Sequence, residues 1–251
     1  LKFAEKMQKL GAQVCIPTTI NAISIDKENW QSQGLAQAFG KKAGRLADAY
    51  VNMGALGTFT CAPYLLNDVP EKDEYIGWSE SNAVIYANSV LGARTAKHAD
   101  FFDLFIACTG RAPKVGVYIS KNRIPVCEIK VNLPDCFDDS LWPMLGWLAG
   151  KKSPNGIPVI TGLEGIQLKE DDLKALCAAF GTTSAASMLH IEGHTLNSQS
   201  KSSSRLEQIF ITKDDIKALW KNLNCKFDNI DLVAIGSPHA SVTECKNFAD
   251  F

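Results

Sequence analysis

The sequence has no excess of charge of either sign and no long apolar run. Its 251 residues carry 26 Lys and Arg against 27 Asp and Glu, which leaves a formal net charge of −1. A chain this close to neutral lacks the basic surplus of nucleic-acid-binding proteins, so we expect no nucleic-acid partner. No window approaches the roughly 20 consecutive apolar residues that a membrane-spanning helix needs, so we expect no membrane segment.

Motifs of several common protein classes are also missing. None of the eight cysteines forms a Cys-x-x-Cys pair, which argues against a zinc ribbon or a thioredoxin-like site. The sequence has no Gly-x-Gly-x-x-Gly, no P-loop and no Gly-x-Ser-x-Gly, so nothing in it supports a nucleotide cofactor or a serine hydrolase. A secretory signal pattern is absent too, and we therefore predict reduced thiols and a cytoplasmic location.

The composition is that of a folded protein, with 46% hydrophobic and 21% charged residues. Helical and strand patterns alternate along the chain. The predicted strands are 13–17, 56–62 (a strand or an extended turn), 114–120 and 123–131 as a hairpin, 157–161, 187–191 and 231–236. The predicted helices are 34–53 (broken or kinked at Gly40 and Gly44), 79–91, 171–180 and 213–223. This alternation predicts a three-layer α/β fold of mainly parallel sheets flanked by helices.

Both ends of the sequence look interrupted. Leu1 is not a methionine and already lies inside a helical pattern that Gly11 ends. Near the other end, Ser241 and Glu244 form a capping-box pattern for a helix that has barely begun at Phe251. We therefore expect residues 1–251 to be part of a longer protein, with sub-units at 1–113 and 114–251.

Polar residues follow three of the predicted strands, at 18–21, 58–64 and 236–239. Parallel α/β sheets bind ligands beyond the carboxyl ends of their strands, so these stretches are candidate site segments. Cys61 lies in the second stretch, between Thr60 and Ala62-Pro63, where a thiolate could ligate a soft metal or attack a substrate. Its spacing alone favours a half-buried structural cysteine.

The densest polar segment is 78–95, followed by Lys97-His-Ala-Asp100. Ser79 or Ser81 can cap a helix, and Glu80 between them can serve as a general acid or base. Asn82 and Asn88 interrupt an otherwise apolar helix and need partners if they are buried. Arg94 and His98 are four residues apart and can share a helix face. The alternative for the segment is a capped helix with ordinary surface pairs.

Two other groups have plain structural interpretations. His190 and His194 are separated by Ile-Glu-Gly, and Gly193 argues against a zinc-binding helix, so His190 is interpreted as a core histidine. Arg111 could clamp a carboxylate, but an ordinary surface salt bridge explains it equally well.

Taken together, these strings resemble the aconitase X family. The resemblance is carried by Thr-Phe-Thr-Cys-Ala-Pro-Tyr at 58–64, by the run from Trp78 to Thr95, and by His98-Ala-Asp100. The stretches at 18–22, 109–111, 157–160 and 236–239 fit the family too. The resemblance extends along nearly the whole chain, and matching strings of this length are far more specific than a short motif.

The resemblance implies an aconitase-like catalytic region of a hydro-lyase that uses iron or an iron–sulfur cluster. Cys61 matches a ligand position of the family, which reverses its interpretation as a structural residue. Some relatives have a cysteine at the position of Ser237, so a cluster ligand is missing or replaced in this chain. Family members also have additional residues at both ends and a small swivelling domain, fused or separate, that closes the site. None of those parts is present in the sequence.

The resemblance also suggests roles for individual residues. Glu80, Ser79 and Ser81 are expected to handle the proton or the reacting substrate, while Asn82, Asn21, Arg94 and His98 bind a small carboxylate substrate. We expect dehydration of cis-3-hydroxy-L-proline, with a mevalonate 5-phosphate dehydratase large subunit as the alternative. A non-catalytic α/β binding subunit and a thiol enzyme using Cys61 as nucleophile are the competing hypotheses. Without the small domain, residues 1–251 are expected to be inactive alone.

Overall fold

A computed structural model describes residues 1–99, 101–195, 206–224 and 229–250. The chain forms two compact units. Unit 1 contains Leu1–Pro63 and Ala99–Pro113, and unit 2 contains Tyr64–His98 and Lys114–Phe251. The α-helices are α1 (Lys2–Lys9), α2 (Gln37–Asn52), α3 (Ser81–Tyr86), α4 (Phe102–Thr109), α5 (Leu141–Lys152), α6 (Glu170–Thr183), α7 (Lys213–Leu223) and α8 (Val242–Ala249). The strands are β1 (Cys127–Val131), β2 (Pro158–Thr161), β3 (His190–Ile191) and β4 (Glu207–Ile211).

Unit 1 contains helices α1, α2 and α4 and an extended segment between α1 and α2. The Val14 amide donates to the Met53 carbonyl (2.8 Å), and the Cys15 amide donates to the Ala107 carbonyl (2.8 Å). These bonds reach the ends of helices rather than a neighbouring strand. The prediction of a buried strand at 13–17 is therefore wrong, and Cys15 is exposed.

Helix α2 is one continuous helix, so the predicted break at its glycines does not occur. Gly40 has a packing role instead, because a Cβ at that position would lie 2.2 Å from the Trp30 ring. Of the two alternatives predicted for 56–62, the strand does not form: Leu56 makes a single parallel bridge with Thr19, and the rest of the segment has no strand.

Unit 2 is built on a four-stranded sheet in the order β3-β2-β1-β4. All the pairs are parallel, and Ile129 of β1 lies opposite Ile160 of β2 and Ile209 of β4. Helix α5 connects β1 to β2, and α6 connects β2 to β3. Ile129 and Ile160 are fully buried in the core. This parallel sheet flanked by helices confirms the predicted α/β class.

Close helix contacts in unit 2 depend on glycines. A Cβ at Gly146 in α5 would lie 2.1 Å from the Leu176 carbonyl oxygen of α6. A Cβ at Gly181 in α6 would lie 3.1 Å from the Ser81 carbonyl oxygen of α3. Helix α6 therefore packs closely against both α5 and α3, and it fixes the position of α3.

The close approach at Gly146 predicts a large loss of stability for Gly146→Ala. The added methyl would meet the backbone of α6, which cannot move aside, and overpacking of this kind costs about 1–3 kcal/mol. Gly44→Ala is the matched control, because nothing lies within 4 Å of a Cβ there and alanine is favoured inside a helix. We expect the urea midpoint of the full-length protein to fall for Gly146→Ala and to stay or rise for Gly44→Ala. Equal midpoints for the two variants would contradict the packing.

Several other predicted elements differ from the structure. The predicted hairpin at 114–131 is absent, because Gly116–Tyr118 and Ser120–Asn122 form 3-10 turns and β1 pairs only with parallel strands. Residues 231–236 form no strand, and the predicted strand 187–191 shortens to β3. The carboxyl ends of the strands in the sheet are therefore not followed by any of the three polar stretches that suggested a site.

Local signals located other elements correctly. Strand β2 and helices α6 and α7 occur where the sequence predicts them. Thr212 caps α7, since its Oγ accepts from the Asp215 amide, and Ser241 and Glu244 form the expected capping box of α8. Within the described ranges, no helix has both the length and the apolar character needed to cross a bilayer.

Candidate active site

A pocket of about 350 Å³ lies within unit 2, among α3, α6 and the segment that leads into α8. Its lining brings together residues far apart in the sequence. The polar and charged ones include Glu80, Ser81, Asn82, Lys174, Ser237 and Glu244. The structure therefore places three residues of the 78–95 segment beside Ser237, as a shared site requires.

Helix α3 presents its first turn to this pocket. Glu80 is its N-cap residue, in an extended conformation, and Ser81 is its first helical residue. Neither Ser79 nor Ser81 caps the helix, so that prediction is wrong. The Ser79 hydroxyl is buried and has no hydrogen-bond partner among the described residues.

Asn82 is the most buried polar residue of this turn, with 6% of its surface exposed. Its Oδ1 accepts a hydrogen bond from the Tyr64 hydroxyl at 2.8 Å. Its Nδ2 has no hydrogen-bond partner among the described residues, and the side chain lines the pocket. Asn82 therefore offers donors to a bound molecule.

Lys174 is a pocket residue that the sequence did not reveal. It is only 2% exposed and lies 2.9 Å from Asp171, and it also forms an ion pair with Glu244 of α8. The Ser241 hydroxyl donates to Asp171 at 2.9 Å. Burial lowers the pKa of Lys174, but hydrogen bonds to Glu244 and Asp171 outweigh it, so the pKa lies above its usual value. Its positive charge is thus already matched by carboxylates.

Arg94 and His98 form a separate cluster and do not line the pocket. The helical segment ends at Gly92, so the two residues lie on an extended stretch rather than on one helix face. The Arg94 guanidinium donates to Asp73 at 2.7 Å and to the Tyr118 carbonyl at 3.0 Å. The hydrogen bond from Arg94 holds the pKa of Asp73 below its usual value.

His98 has a defined tautomer in this cluster. The Tyr118 hydroxyl donates to the Ile76 carbonyl at 2.7 Å. It therefore accepts from His98 Nε2, which lies 2.9 Å away and must carry the ring proton. The hydrogen bond to Tyr118 therefore orients the His98 ring within unit 2.

A buried hydrogen-bond network lies in the π-helical segment Ala87–Leu91, which directly follows α3. Asn88 is fully buried, and its Nδ2 donates to the carbonyls of Val84, Thr95 and Ser187 at 2.7–2.9 Å. Arg123 Nη1 donates to Asn88 Oδ1 at 3.0 Å, and burial lowers the pKa of Arg123 to about 10. Asn82 in α3 and Asn88 in the segment after it are thus both buried and hydrogen-bonded, as the sequence predicts for buried asparagines.

His190 is a core histidine, as its sequence context suggests. It is 1% exposed, and its Nε2 lies 2.7 Å from the Arg123 carbonyl, to which it donates. Burial lowers its pKa, which keeps the imidazole neutral.

Cys61 and Asn21 belong to unit 1. Cys61 is half-buried, in a turn where the Ala62 amide donates to the Thr60 hydroxyl at 3.1 Å. Across the described residues, no three His, Cys, Asp or Glu side chains are grouped so that they could hold a metal ion. The roles assigned to these and the other site residues stay predictions.

Comparison with known proteins gives consistent matches along the chain. The family model described as "Aconitase X first domain" matches residues 1–121, and the one described as "Aconitase X second domain" matches residues 118–221. A crystal structure of Thermococcus kodakaraensis aconitase X (holo-form) has a TM-score of 0.89 and 31% sequence identity, covering 99% of this chain and 61% of that one.

Named relatives fall into two groups. The cis-3-hydroxy-L-proline dehydratases of Hypocrea jecorina and Pseudomonas aeruginosa are each 43% identical over 99% of this chain. The phosphomevalonate dehydratase large subunit of Methanothermobacter thermautotrophicus is 33% identical over 100% of this chain. The chain spans 43%, 44% and 62% of the lengths of these three relatives. The matching domains and the similar structure show that the chain belongs to the aconitase X family.

Proposed function

We propose that this chain is part of a hydro-lyase that removes water from a small hydroxylated carboxylate, cis-3-hydroxy-L-proline. The observation that carries the proposal is the 43% identity to two cis-3-hydroxy-L-proline dehydratases, against 33% for the phosphomevalonate dehydratase large subunit. The alternative substrate is mevalonate 5-phosphate. The relative named for that activity is a phosphomevalonate dehydratase large subunit, so in that case a small partner subunit would complete the enzyme.

The charge of the pocket favours the imino acid over the phosphate ester. Glu80 and Glu244 line the pocket, and the one lysine among its lining residues, Lys174, is paired with Asp171 and Glu244. A phosphate ester requires cationic donors that are free to pair with it. The ammonium group of hydroxyproline suits a pocket with this carboxylate excess.

The dehydration breaks a C–H bond at C2, next to the carboxylate, and a C–O bond at C3. In the proposal, the Glu80 carboxylate accepts the C2 proton as general base, while the carbon–carbon double bond forms and hydroxide leaves. Asn82 and Ser81 donate hydrogen bonds to the substrate carboxylate, whose charge grows as the proton departs. Ser79 is proposed as a further donor; its buried hydroxyl has no hydrogen-bond partner among the described residues, although Ser79 itself does not line the pocket.

The remaining substrate-binding proposals concern Asn21, Arg94 and His98. Arg94 is held by Asp73, and His98 is held by Tyr118. We propose that the two residues either stabilise this part of unit 2 or bind a part of the substrate away from the reacting carbons. Asn21 lies in unit 1, and its substrate-binding role stays a proposal.

An iron or iron–sulfur group is a further proposal, with Cys61 as a ligand. The described residues do not fit a complete site, because they group no three potential ligands. A cluster would therefore draw on ligands outside the described residues, and no step of the mechanism is derived through it. If Cys61 is a ligand, anaerobically purified full-length Cys61→Ser loses iron, while Cys136→Ser, which changes an exposed thiol, retains it. Equal iron in both variants would contradict the ligand role.

The substrate class is tested by binding of unreactive analogues to the full-length protein. L-Proline keeps the ring amine and the carboxylate but has no hydroxyl to lose, and cyclopentanecarboxylate lacks the amine. Calorimetric titration is expected to show roughly 10-fold or greater preference for L-proline, because charge-assisted hydrogen bonds contribute about 1.5–3 kcal/mol. Equal affinity for the two, or tighter binding of mevalonate 5-phosphate, would contradict the proposed substrate.

A further inference from the structure

Tyr64 is a hydrogen-bond partner of Asn82, which lines the pocket. The residue is only 3% exposed, and its ring stacks on that of Tyr86 in α3, with centroids 4.1 Å apart and an interplanar angle of 16°. Burial, together with Glu170, raises the pKa of Tyr86, so the Tyr86 hydroxyl keeps its proton. The stack holds the Tyr64 ring in one place relative to α3.

The Tyr64 hydroxyl determines which end of the Asn82 amide faces the pocket. The hydroxyl donates to Oδ1 at 2.8 Å, which uses the acceptor end of the amide. The donor end, Nδ2, is then left for the pocket, and no described residue accepts from it. An asparagine side chain can otherwise rotate by half a turn and exchange its two ends. A fixed donor is what an anionic ligand group requires.

We propose that Tyr64 is a positioning residue that holds the Asn82 amide with its N–H donors toward the pocket, where they bind the substrate carboxylate. The inference rests on the proposed function for its ligand, and on the geometry of Tyr64, Tyr86 and Asn82 for its mechanism. Tyr64 belongs to the polar stretch at 58–64, but its sequence position gives no role for it.

Tyr64→Phe in the full-length protein removes the hydroxyl and keeps the stacked ring. We expect kcat/KM for cis-3-hydroxy-L-proline to fall about 5-fold, mainly through a higher KM, since one orienting hydrogen bond contributes about 1 kcal/mol. Tyr86→Phe is the matched control, because it removes a hydroxyl from the other ring of the stack and leaves the Tyr64–Asn82 bond intact. We expect its kcat/KM to change by less than about 2-fold.

A double-variant cycle separates positioning from a loss of folding. If Tyr64 acts through Asn82, Tyr64→Phe changes kcat/KM by less than about 2-fold in an Asn82→Ala background. Asn82→Asp keeps the acceptor for Tyr64 but replaces the donors with an anionic oxygen, so it is expected to lower kcat/KM more than Tyr64→Phe does. Additive losses in the cycle, or full activity of Asn82→Asp, would overturn the inference.

A readout that needs no substrate keeps this inference distinct from the proposed function. With asparagine labelled at the side-chain nitrogen, the signal missing from Asn82→Asp identifies Asn82. That signal is expected to shift in Tyr64→Phe and to stay in place in Tyr86→Phe. An unchanged signal in Tyr64→Phe overturns the positioning role. A shifted signal without turnover of cis-3-hydroxy-L-proline overturns the proposed function alone.

Discussion

Asn88→Ala is expected to destabilise the protein by about 3 kcal/mol or more. The substitution removes the donors to Val84, Thr95 and Ser187, and it removes the Oδ1 acceptor of Arg123. Arg123 is 5% exposed, and its Nε already has no hydrogen-bond partner among the described residues. Each buried polar group left without its partner costs about 1–3 kcal/mol, and several groups lose theirs at once, although Arg123 keeps the Ala93 and Val117 carbonyls.

The loss should appear as a lower urea midpoint of the full-length protein, followed by circular dichroism. Asn132→Ala is the matched control, because Asn132 is exposed and, among the described residues, only its backbone amide forms a hydrogen bond, to the Ile211 carbonyl. Its stability is expected to change by less than about 0.5 kcal/mol. If Asn88→Ala unfolds at the same urea concentration as Asn132→Ala, the network does not stabilise the segment that follows α3.

Glu80→Gln is expected to lower kcat for cis-3-hydroxy-L-proline by about 10²- to 10⁴-fold, the usual contribution of a general base. The amide keeps the size of the side chain and its place at the pocket but cannot accept the C2 proton. Glu80 lies at the start of α3, where it can reach a molecule beside Asn82. KM should change much less than kcat, since the lost step is proton transfer rather than binding.

Glu71→Gln provides the comparison for this loss. Glu71 is an exposed glutamate of the same unit that does not line the pocket, and its variant is expected to keep the activity of the unchanged protein. Retention of more than a tenth of kcat by Glu80→Gln would move the base to another residue. Loss of activity in both variants would point to a general charge effect instead.

Local signals in the sequence located three elements of the second half of the chain correctly, but gave no indication of α5 or β4. Strand β2, α6 and α7 are marked by short-range patterns, and Thr212 begins α7 through a bond to a residue three positions away. The start and end of such an element are marked by residues within or next to it, so a single sequence is sufficient to locate the element.

The incorrect strands fail for a different reason. Residues 13–17 and 231–236 are apolar enough to form strands, but the structure gives them no neighbouring strand. A strand depends on hydrogen bonds to a neighbouring strand, and the local sequence does not show which segment that neighbour is. The segment before β1 similarly forms 3-10 turns, where the Val117 carbonyl accepts from the buried Arg123 guanidinium.

The candidate site was predictable where its residues are neighbours in sequence. Glu80, Ser81 and Asn82 stand together, and the structure keeps them together at one pocket. Lys174 and Tyr64 were missed as site residues, because their partners lie far away: Glu244 is 70 residues from Lys174, and Asn82 is 18 residues from Tyr64. Only the packing of α3, α6 and α8 reveals those pairs.

We propose that this chain belongs to an enzyme that dehydrates a hydroxylated imino acid. Proton NMR of the full-length protein with cis-3-hydroxy-L-proline, and separately with mevalonate 5-phosphate, tests it most directly. We predict that the C2 and C3 signals of hydroxyproline disappear at equal rates as the dehydrated ring forms, while the phosphate ester is unchanged. An unchanged hydroxyproline spectrum, with loss of water from mevalonate 5-phosphate under the same conditions, would contradict the claim.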